Sequence, residues 1–452
     1  MTTLFNRREM LSLLGSAALS SLAPRAGALQ TSNNREADFT LQIGPVSIEL
    51  APKKVIRTLG YNGKAPGPLL RVPEGKEIAI DVHNQSDTPQ LVHWHGLRAP
   101  PKQDGAIEEG TPTIPAGGQN RFVFTASPAG TRWYHTHEMA QRHLNRGTYT
   151  GQFGFFYVEP KNEPGGFDQE IFLALREWDP YFSTMGDEGQ EVAYKAFSIN
   201  DRALGHGEPI RVNEGERVML RILNASATIL RRIAIAGHLF EVCAMDGNPV
   251  PAPGKVPALE LGPAERIDAI VEMNNPGVWV LGATDDHDRT AGMGIVVEYA
   301  LRSGNPIWTS PATARWDYTR FGMQSTPTAE DERIPLIFEK KFAGSRWTDK
   351  WTINGKSFPN TDDIVVRAHQ RYRLAFDNRS DEAHPVHLHR HSFELVNVAG
   401  VATSGILKDV VVIPPKSKVE AILIADNPGL SLFHCHQQLH MDYGFMALMK
   451  YA

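Results

Sequence analysis

The sequence predicts an all-β protein built from three related β-sandwich domains. Short strand-like segments are separated by Gly, Pro and Asn along most of the chain, and few stretches have the apolar period of a helix. One pattern also recurs three times, which indicates repeated domains of a single kind. We place these domains at residues 38–160, 165–302 and 333–452.

The first half of the repeat is a segment that ends near an Asn. The segment "RVPEGKEIAIDVHNQS" begins at Arg71, "RVNEGERVMLRILNAS" begins at Arg211, and the looser "RAHQRYRLAFDNRS" begins at Arg367. Nine and eleven residues beyond Asn84, Asn224 and Asn378 stand, in that order, His93 and His95, Ile233 and Ile235, and His387 and His389. The outer copies therefore carry paired histidines where the middle copy carries isoleucines.

The second half of the repeat aligns on a shared Gly. The three segments are "AGTRWYHTH", "PGVWVLGAT" and "PGLSLFHCH". Five and seven residues after that Gly stand His135 and His137 in the first copy, Gly282 and Thr284 in the second, and His434 and His436 in the third. Since all these offsets agree, three related domains are the natural interpretation, and the middle one carries none of the paired histidines.

Length, composition and charge exclude several classes of protein. The chain has 452 residues and a formal net charge of -5, with no long basic run. Nucleic acid is therefore not an expected partner, and electrostatic attachment to a membrane has no support.

The N-terminal residues 1–28 have the features of an export signal. Arg7 and Arg8 precede a modestly apolar stretch at 10–23, and the small-residue segment 26–28 is typical of a cleavage site. A membrane anchor is the less consistent interpretation, because the stretch is short and rich in Ser and Gly. We predict export in the folded state by the twin-arginine machinery, with an ordinary secretory signal as the alternative. The expected location is the periplasm or the medium, without stable insertion in a membrane.

Ten of the 17 histidines fall in four short motifs. These motifs are "HWHG" (His93, His95), "WYHTH" (His135, His137), "HPVHLH" (His384, His387, His389) and "HCHQQLH" (His434, His436, His440). In a strand, each HxH pair places two imidazoles on one face. Eight imidazoles exceed what one metal ion can use, so we predict a multinuclear cluster between the first and third domains, with the middle domain as a spacer.

Only two cysteines occur, and one of them lies inside the last motif. Cys243 stands in the apolar run "LFEVCAMDG" and is expected to be a buried free thiol. In an extended "LFHCHQQLHMDYGFM", Cys435 faces away from His434 and His436. The remaining donors are His384, Cys435 and His440, and two imidazoles with one thiolate define the trigonal blue-copper site. Zinc would prefer a fourth ligand, so redox-active copper is the better match.

These motifs, in this order and over nearly the whole mature chain, resemble the three-domain multicopper oxidases, the family of laccase, ascorbate oxidase and bilirubin oxidase. The segments "NGKAPGPLLRV" and "DNPGLSLFHCH" resemble the same family. The resemblance implies cupredoxin-like Greek-key domains and four copper ions per chain. It implies His384, Cys435 and His440 as type 1 ligands, His93 and His387 as type 2 ligands, and His95, His135 and His436 with His137, His389 and His434 as the two type 3 sets.

The resemblance also implies an activity. A laccase-type enzyme oxidises phenolic or other aromatic donors one electron at a time, passes the electrons through Cys435 to the cluster, and reduces dioxygen to water. A metallo-oxidase acting on cuprous, ferrous or manganous ions in periplasmic metal homeostasis is the alternative, although the chain has no methionine-rich run. A non-catalytic periplasmic scaffold is a third interpretation, against which the retained histidines and Cys435 argue.

Asp104, in "PKQDG", is a candidate proton donor. It follows His95 by nine residues, where family members keep an acid close to the type 2 copper. Reduction of dioxygen to water consumes four protons, so an acid is chemically needed there. The alternative is a turn-forming Asp before Gly105, and the two roles are compatible.

Phe445 is the candidate axial residue of the type 1 site. It stands ten residues after Cys435, where the resemblance places this residue, and a Phe has no lone pair to donate. A three-coordinate copper with a raised potential is therefore expected. Met446 is the rival, but in an extended segment its side chain points away from that of Phe445. His391 is expected to be structural, because His238 occupies the equivalent place in the middle domain.

Overall fold

The computed structural model describes residues 35–162, 165–186, 189–324, 332–341 and 350–452. The predicted signal peptide, residues 1–28, lies outside the described residues. Within them, no helix has both the length and the apolar character required to cross a bilayer. The described part of the chain is almost entirely β-strand and forms paired sheets, as the strand pattern and the repeats predict.

The first sandwich is formed by eight strands. They are β1 (Phe39–Ala51), β2 (Lys54–Tyr61), β3 (Leu70–Pro73), β4 (Glu77–Asn84), β5 (His93–His95), β6 (Gln119–Thr125), β7 (Gly130–His135) and β8 (Phe153–Glu159). One sheet has the order β2-β1-β4-β6 and the other β3-β8-β7-β5. A short helix α1 (Pro101–Asp104) and two 3-10 turns (Ile107–Glu109, Gly147–Tyr149) lie in its connections.

The second sandwich contains eleven strands and one short helix. The strands are β9 (Gln169–Gly186), β10 (Gly189–Ile199), β11 (Ile210–Val212), β12 (Arg217–Asn224), β13 (Arg231–Ile235), β14 (Phe240–Met245), β15 (Asn248–Val256), β16 (Leu259–Leu261), β17 (Arg266–Glu272), β18 (Val278–Ala283) and β19 (Gly294–Tyr299). The helix α2 is Asp286–Thr290. The sheet orders are β10-β9-β12-β17-β14-β15 and β11-β19-β18-β13-β16.

The third sandwich repeats the arrangement of the second. Its strands are β20 (Glu332–Lys341), β21 (Lys350–Ile353), β22 (Ile364–Val366), β23 (Arg371–Asn378), β24 (His384–Leu388), β25 (Phe393–Val398), β26 (Val401–Lys408), β27 (Val410–Ile413), β28 (Lys418–Ile424), β29 (Ser431–Cys435) and β30 (Met446–Tyr451). A 3-10 turn (Tyr318–Phe321) precedes it, and the helix α3 is Gln438–Asp442. The sheet orders are β21-β20-β23-β28-β25-β26 and β22-β30-β29-β24-β27. The domain ranges themselves remain a prediction.

The Asn of each repeat makes equivalent hydrogen bonds in the three sandwiches. It ends β4, β12 or β23, and its side-chain amide donates to two main-chain carbonyls at equivalent places in every copy. The acceptors are Thr88 and Ile114 for Asn84, Ile229 and Leu261 for Asn224, and Glu382 and Ile413 for Asn378, at 2.8–3.1 Å. In Asn84 and Asn378 the amide also donates to a third carbonyl, that of Pro115 or Pro414. Because buried carbonyls need partners, the Asn helps to fix where the following strand (β5, β13 or β24) begins.

The strands that carry the histidine motifs pair with each other. In the first sandwich β5 pairs with β7, and His93 lies opposite His135. In the third, β24 pairs with β29, and His387 lies opposite His434. In the second, β13 pairs with β18, but Ile233 lies opposite Ala283, one residue from the position that the alignment predicts.

Candidate metal centre

Eight imidazoles from the first and third sandwiches meet in one buried cluster. All eight side chains of the HxH pairs are at most 5% exposed. The rings of His93 and His389 stack with centroids 3.8 Å apart, and those of His95 and His387 do the same. Each stack joins one histidine of each sandwich. The cluster therefore exists only when the two sandwiches are packed together.

The potential ligand atoms of these histidines fall into three close groups. Within each group the nitrogen atoms lie within 4.8 Å of one another. The groups are His93, His95 and His387; His95, His135 and His436; and His137, His389 and His434. The last two groups have the same members as the two type 3 sets implied by the resemblance, and the first contains the implied type 2 pair.

Hydrogen bonds to oxygen atoms orient most of these rings. The Nδ1 atoms of His93, His135, His387 and His434 lie 2.7–2.9 Å from the carbonyls of Asp104, Thr136, Asp409 and Cys435. Each of these rings therefore directs Nε2 inward. His95 is reversed, since its Nε2 lies 3.1 Å from an Asp409 carboxylate oxygen and its Nδ1 faces the cluster. Such outer hydrogen bonds fix the tautomer of a metal-binding imidazole.

The inward nitrogens fit a set of metal ions. His93 Nε2, His387 Nε2 and both nitrogens of His436 are buried without a hydrogen-bond partner. His434 Nε2 lies 3.4 Å from His137 Nε2 and 3.1 Å from His389 Nε2. Buried lone pairs that face one another are costly unless a cation lies between them. Burial is the main cause that lowers the pKa of His95, His135, His137, His387, His389, His434 and His436, so these imidazoles are neutral, as metal binding requires.

Two carboxyl groups lie on one side of the cluster. Asp104 is fully buried, and its Oδ2 is 3.2 Å from His93 Nδ1 and 2.9 Å from His389 Nδ1. Glu109 is also buried, and its Oε1 is 3.3 Å from His389 Nδ1 and accepts from the amide of Leu432 at 2.6 Å. Burial, with the negative charge of Asp104, raises the pKa of Glu109 well above its usual range. Asp104 also ends α1 before Gly105, whose φ is 105°, so both of its expected roles are compatible with the structure.

Sequence reasoning missed Glu109 and Asp409. Glu109 follows Asp104 closely in "DGAIEEG", but two adjacent glutamates gave no reason to choose one. Asp409 stands in "LKDVV" between β26 and β27, and it contacts His95 through its side chain and His387 through its carbonyl. No local pattern marks it, because these partners are far away in the chain.

A second group of potential ligands lies in the third sandwich. The Sγ atom of Cys435 is 3.8 Å from His384 Nδ1 and 3.4 Å from His440 Nδ1, and the two nitrogens are 3.1 Å apart. Outer partners hold both rings, since His384 Nε2 lies 2.8 Å from Ser380 Oγ and His440 Nε2 lies 3.0 Å from Glu382 Oε2. Burial raises the pKa of the Cys435 thiol. A cation is therefore needed to displace its proton, which fits a thiolate metal site.

Phe445 packs against this group, whereas Met446 belongs to a different apolar cluster. The ring of Phe445 is fully buried with its centroid 4.9 Å from that of His384. Met446 instead packs with Ala106, Leu432 and Met441 in a separate apolar cluster. The segment is not extended throughout as the sequence predicted, because α3 (Gln438–Asp442) interrupts it and β30 begins only at Met446. The two side chains nevertheless have different surroundings.

The edge of His440 is the most accessible part of this group. The ring of Trp351 lies over it with centroids 4.1 Å apart. The Glu382 side chain is 35% exposed, and Lys340 Nζ lies 3.1 Å from its other oxygen. Burial alone would raise the pKa of Glu382, but hydrogen bonds from His440 and Lys340 and the positive charge of Lys340 lower it. An ionised carboxylate therefore connects His440 with the protein surface.

His391 has the structural role that the comparison with His238 predicts. His391 Nδ1 lies 3.0 Å from the His389 carbonyl, and its Nε2 lies 2.8 Å from the Tyr451 hydroxyl. His238 makes the same two contacts with Ala236 and Tyr299, at 2.8 and 2.6 Å. Both nitrogens of each ring are thus occupied by protein oxygens. Cys243 is half-buried and unpaired, and it donates to the Glu241 carbonyl.

Similarity to known proteins extends over the whole chain beyond its N-terminus. Family profiles described as multicopper oxidase match residues 42–163, 179–300 and 335–452. The multicopper oxidase MmcO of Mycobacterium tuberculosis is 30% identical, covering 97% of this chain and 91% of its own. Bilirubin oxidase of Albifimbria verrucaria is 26% identical, and the match covers 90% of this chain and 75% of the bilirubin oxidase. The crystal structure of a multi-copper oxidase from Pseudomonas thermotolerans superposes with a TM-score of 0.72 at 27% identity. The superposition covers 92% of this chain and 100% of the other.

Proposed function

This chain belongs to the multicopper oxidase family, and on that premise we propose that it is a laccase-type oxidase of phenolic or other aromatic donors that reduces dioxygen to water. The observation that carries the proposal is that the chain contains two buried groups of potential metal ligands. One is the cluster of eight imidazoles, and the other is His384, Cys435 and His440. A multinuclear site and a separate thiolate site are what a four-electron reduction by single-electron donors requires.

We assign four copper ions to these groups. His384, Cys435 and His440 hold the type 1 copper, and His93 and His387 the type 2 copper, while His95, His135 and His436 with His137, His389 and His434 hold the type 3 pair. The buried, unpartnered nitrogens support this assignment. Copper in these sites supplies one-electron redox chemistry and couples single-electron donors to dioxygen. Copper analysis tests the assignment: about four ions per chain supports it, and none would support a non-catalytic scaffold.

Cys435 provides the connection between the two groups. Its sulfur faces His384 and His440, while the adjacent residues His434 and His436 face the cluster. The two groups are therefore joined by a few bonds of one continuous main chain. A covalent path this short supports a role for Cys435 in carrying electrons from the donor side to the dioxygen side.

Asp104 and Glu109 are proposed to supply protons at the cluster. Dioxygen reduction consumes four protons, and both carboxyl groups reach the outer nitrogen of His389. Since burial and the negative charge of Asp104 raise the pKa of Glu109, Glu109 can hold a proton beside the cluster.

Glu382 is the proposed contact for the electron donor, because its side chain is 35% exposed beside His440. The Glu382 carboxylate can accept a hydrogen bond from a phenolic hydroxyl, and the phenol then lies one hydrogen bond from His440 Nε2.

The same exposed carboxylate favours a second candidate function, the oxidation of metal cations such as cuprous, ferrous or manganous ions. A steady-state comparison of a phenol with cuprous and ferrous ions decides between them. A kcat/KM for either metal ion far above that for the phenol would overturn the laccase assignment.

We also propose export through the twin-arginine machinery, with residues 1–28 as the signal. The paired arginines Arg7 and Arg8 support this route. Replacement of both by Lys tests it by cell fractionation. The proposal expects the precursor to remain in the cytoplasm, and unchanged export of the variant would favour the ordinary secretory route.

A further inference from the structure

Arg266 reaches the cluster from the second sandwich, which carries none of the proposed copper ligands. It begins β17 and is fully buried. Its Nη1 and Nη2 atoms lie 2.7 and 2.6 Å from the two carboxylate oxygens of Asp409. The remaining N–H groups donate to the carbonyls of Thr131, Ala264 and Asp246 at 3.0–3.2 Å. All five guanidinium donors are therefore used, and the orientation of the group is fixed.

Asp409, held in place by Arg266, in turn orients the rings of two histidines. Its Oδ1 lies 3.1 Å from His95 Nε2, so it determines that His95 presents Nδ1 to the cluster. Its main-chain carbonyl lies 2.7 Å from His387 Nδ1, which directs His387 Nε2 inward. A second guanidinium, that of Arg132 in the first sandwich, lies 3.5 Å from Asp409 Oδ2. Residues of all three sandwiches thus meet at one carboxylate.

The main chain next to His95 leaves room for this ion pair. Gly96 directly follows His95 and has a φ of 81°. A Cβ atom on Gly96 would lie 2.7 Å from Asp409 Oδ2 and 2.8 Å from Arg266 Nη2. The ion pair therefore packs directly against the histidine strand, and a single methyl group there would displace it.

We propose that Arg266 is a positioning residue of the histidine cluster, which holds the Asp409 carboxylate so that His95 and His387 present the correct nitrogen atoms. The inference rests on the proposed copper sites. It makes the second sandwich part of the dioxygen-reducing site rather than a spacer. Hydrogen-bond partners of metal-binding histidines typically change metal affinity by roughly 10- to 100-fold when removed. A lysine would keep the charge of Arg266 but could not bind both carboxylate oxygens.

The first test is Arg266→Lys, with Arg221→Lys as the control. Arg221 is also buried, lies in the same sheet on β12, and has its Nη1 atom 2.7 Å from Asp268 Oδ2. Copper affinity is measured by competition with a chelator, and the cluster is observed by electron paramagnetic resonance of its type 2 copper. We expect Arg266→Lys to bind cluster copper more weakly and to change the resonance spectrum. Because Arg266 acts through Asp409, the loss of affinity should not exceed the roughly 10- to 100-fold caused by removal of a direct partner. The blue absorption of Cys435 should persist in the same molecules, and Arg221→Lys should retain its copper.

The second test remains informative if Arg266→Lys fails to fold. Gly96→Ala places a methyl group against the ion pair, whereas Gly75→Ala introduces the same strain at a φ of 83° with no atom within 4 Å of the new Cβ. We expect weaker cluster copper only in Gly96→Ala. Equal losses in a variant and its control, or wild-type affinity and spectrum in both Arg266→Lys and Gly96→Ala, would overturn the positioning role. Absence of copper from the wild-type protein would instead refute the proposed function.

Discussion

His434 Nδ1 lies 2.9 Å from the main-chain carbonyl of Cys435, the residue that follows it. This contact turns the His434 ring so that Nε2 faces His137 and His389. The Cys435 side chain points to the other face, toward His384 and His440. One short segment of β29 therefore contributes ligands to both proposed metal sites. Substitutions in this segment should affect one site and leave the other largely unchanged.

Cys435→Ser should remove the intense blue absorption and nearly all oxidase activity. A serine hydroxyl is a poor copper ligand and gives no thiolate-to-copper charge transfer. The copper held by the eight cluster histidines should largely remain, because none of them changes. Visible absorption and copper analysis of the purified variant check both parts. A serine variant that stayed blue would show that the thiolate assignment is wrong.

Asp104→Asn should slow the reoxidation of the reduced enzyme by dioxygen. The amide has nearly the same shape as the carboxyl group, but it cannot deliver a proton to the cluster. Reduction of the type 1 copper by a donor should change little, because Asp104 contacts only His93 and His389 among the proposed ligands. Stopped-flow measurement of the two half-reactions separates the effects. Slower anaerobic reduction with normal reoxidation would exclude the proton-supply role.

Phe445→Met should lower the potential of the type 1 copper, whereas Met446→Leu should leave it nearly unchanged. The ring of Phe445 packs against His384, so a thioether there can approach the copper and stabilise its oxidised form. Met446 packs instead with Ala106, Leu432 and Met441. Redox titration measures the potentials, and each shift of about 59 mV changes a one-electron equilibrium tenfold. A large change in Met446→Leu with none in Phe445→Met would reverse the axial assignment.

Glu382→Gln should weaken the use of a ferrous donor more than that of a neutral phenol. The amide can still accept from His440, but the negative charge that attracts a cation is lost. An exposed charge pair at close range contributes about 1 kcal/mol, so KM for ferrous ion should rise roughly fivefold. Asp381→Asn is the control, because Asp381 is 90% exposed and pairs with Lys416 instead. If both variants raise the KM equally, the effect is general surface charge and not docking at Glu382.

His391→Phe should reduce stability without loss of copper. The replacement removes the contacts of the ring nitrogens with Tyr451 and with the His389 carbonyl, while the new ring still fills the space. This should cost about 1–3 kcal/mol of unfolding free energy. His238→Phe should have a similar effect through Tyr299, since the two sites are equivalent. Denaturant unfolding and copper content are the measurements. Selective loss of copper from His391→Phe would contradict its structural role.

The sequence by itself determined the parts of this protein that depend on local chain geometry. The repeats identify three related sandwiches, and the strand period places His434 and His436 on one face and Cys435 on the other. The different surroundings of Phe445 and Met446 match the prediction, although α3 interrupts the extended segment on which it was based. These predictions need no knowledge of distant residues, because side-chain direction in a strand follows from the position along the strand.

Only the tertiary structure decided which residues surround the cluster. His95 and Asp409 are 314 positions apart, and Arg266 and Asp409 are 143 apart. Glu109 reaches His389 in another sandwich. Even the pairing of Ile233 with Ala283 differs by one residue from the repeat alignment. The physical reason is that such contacts depend on how the sandwiches pack, and carboxylates and guanidinium groups leave no periodic pattern in the sequence to indicate their partners.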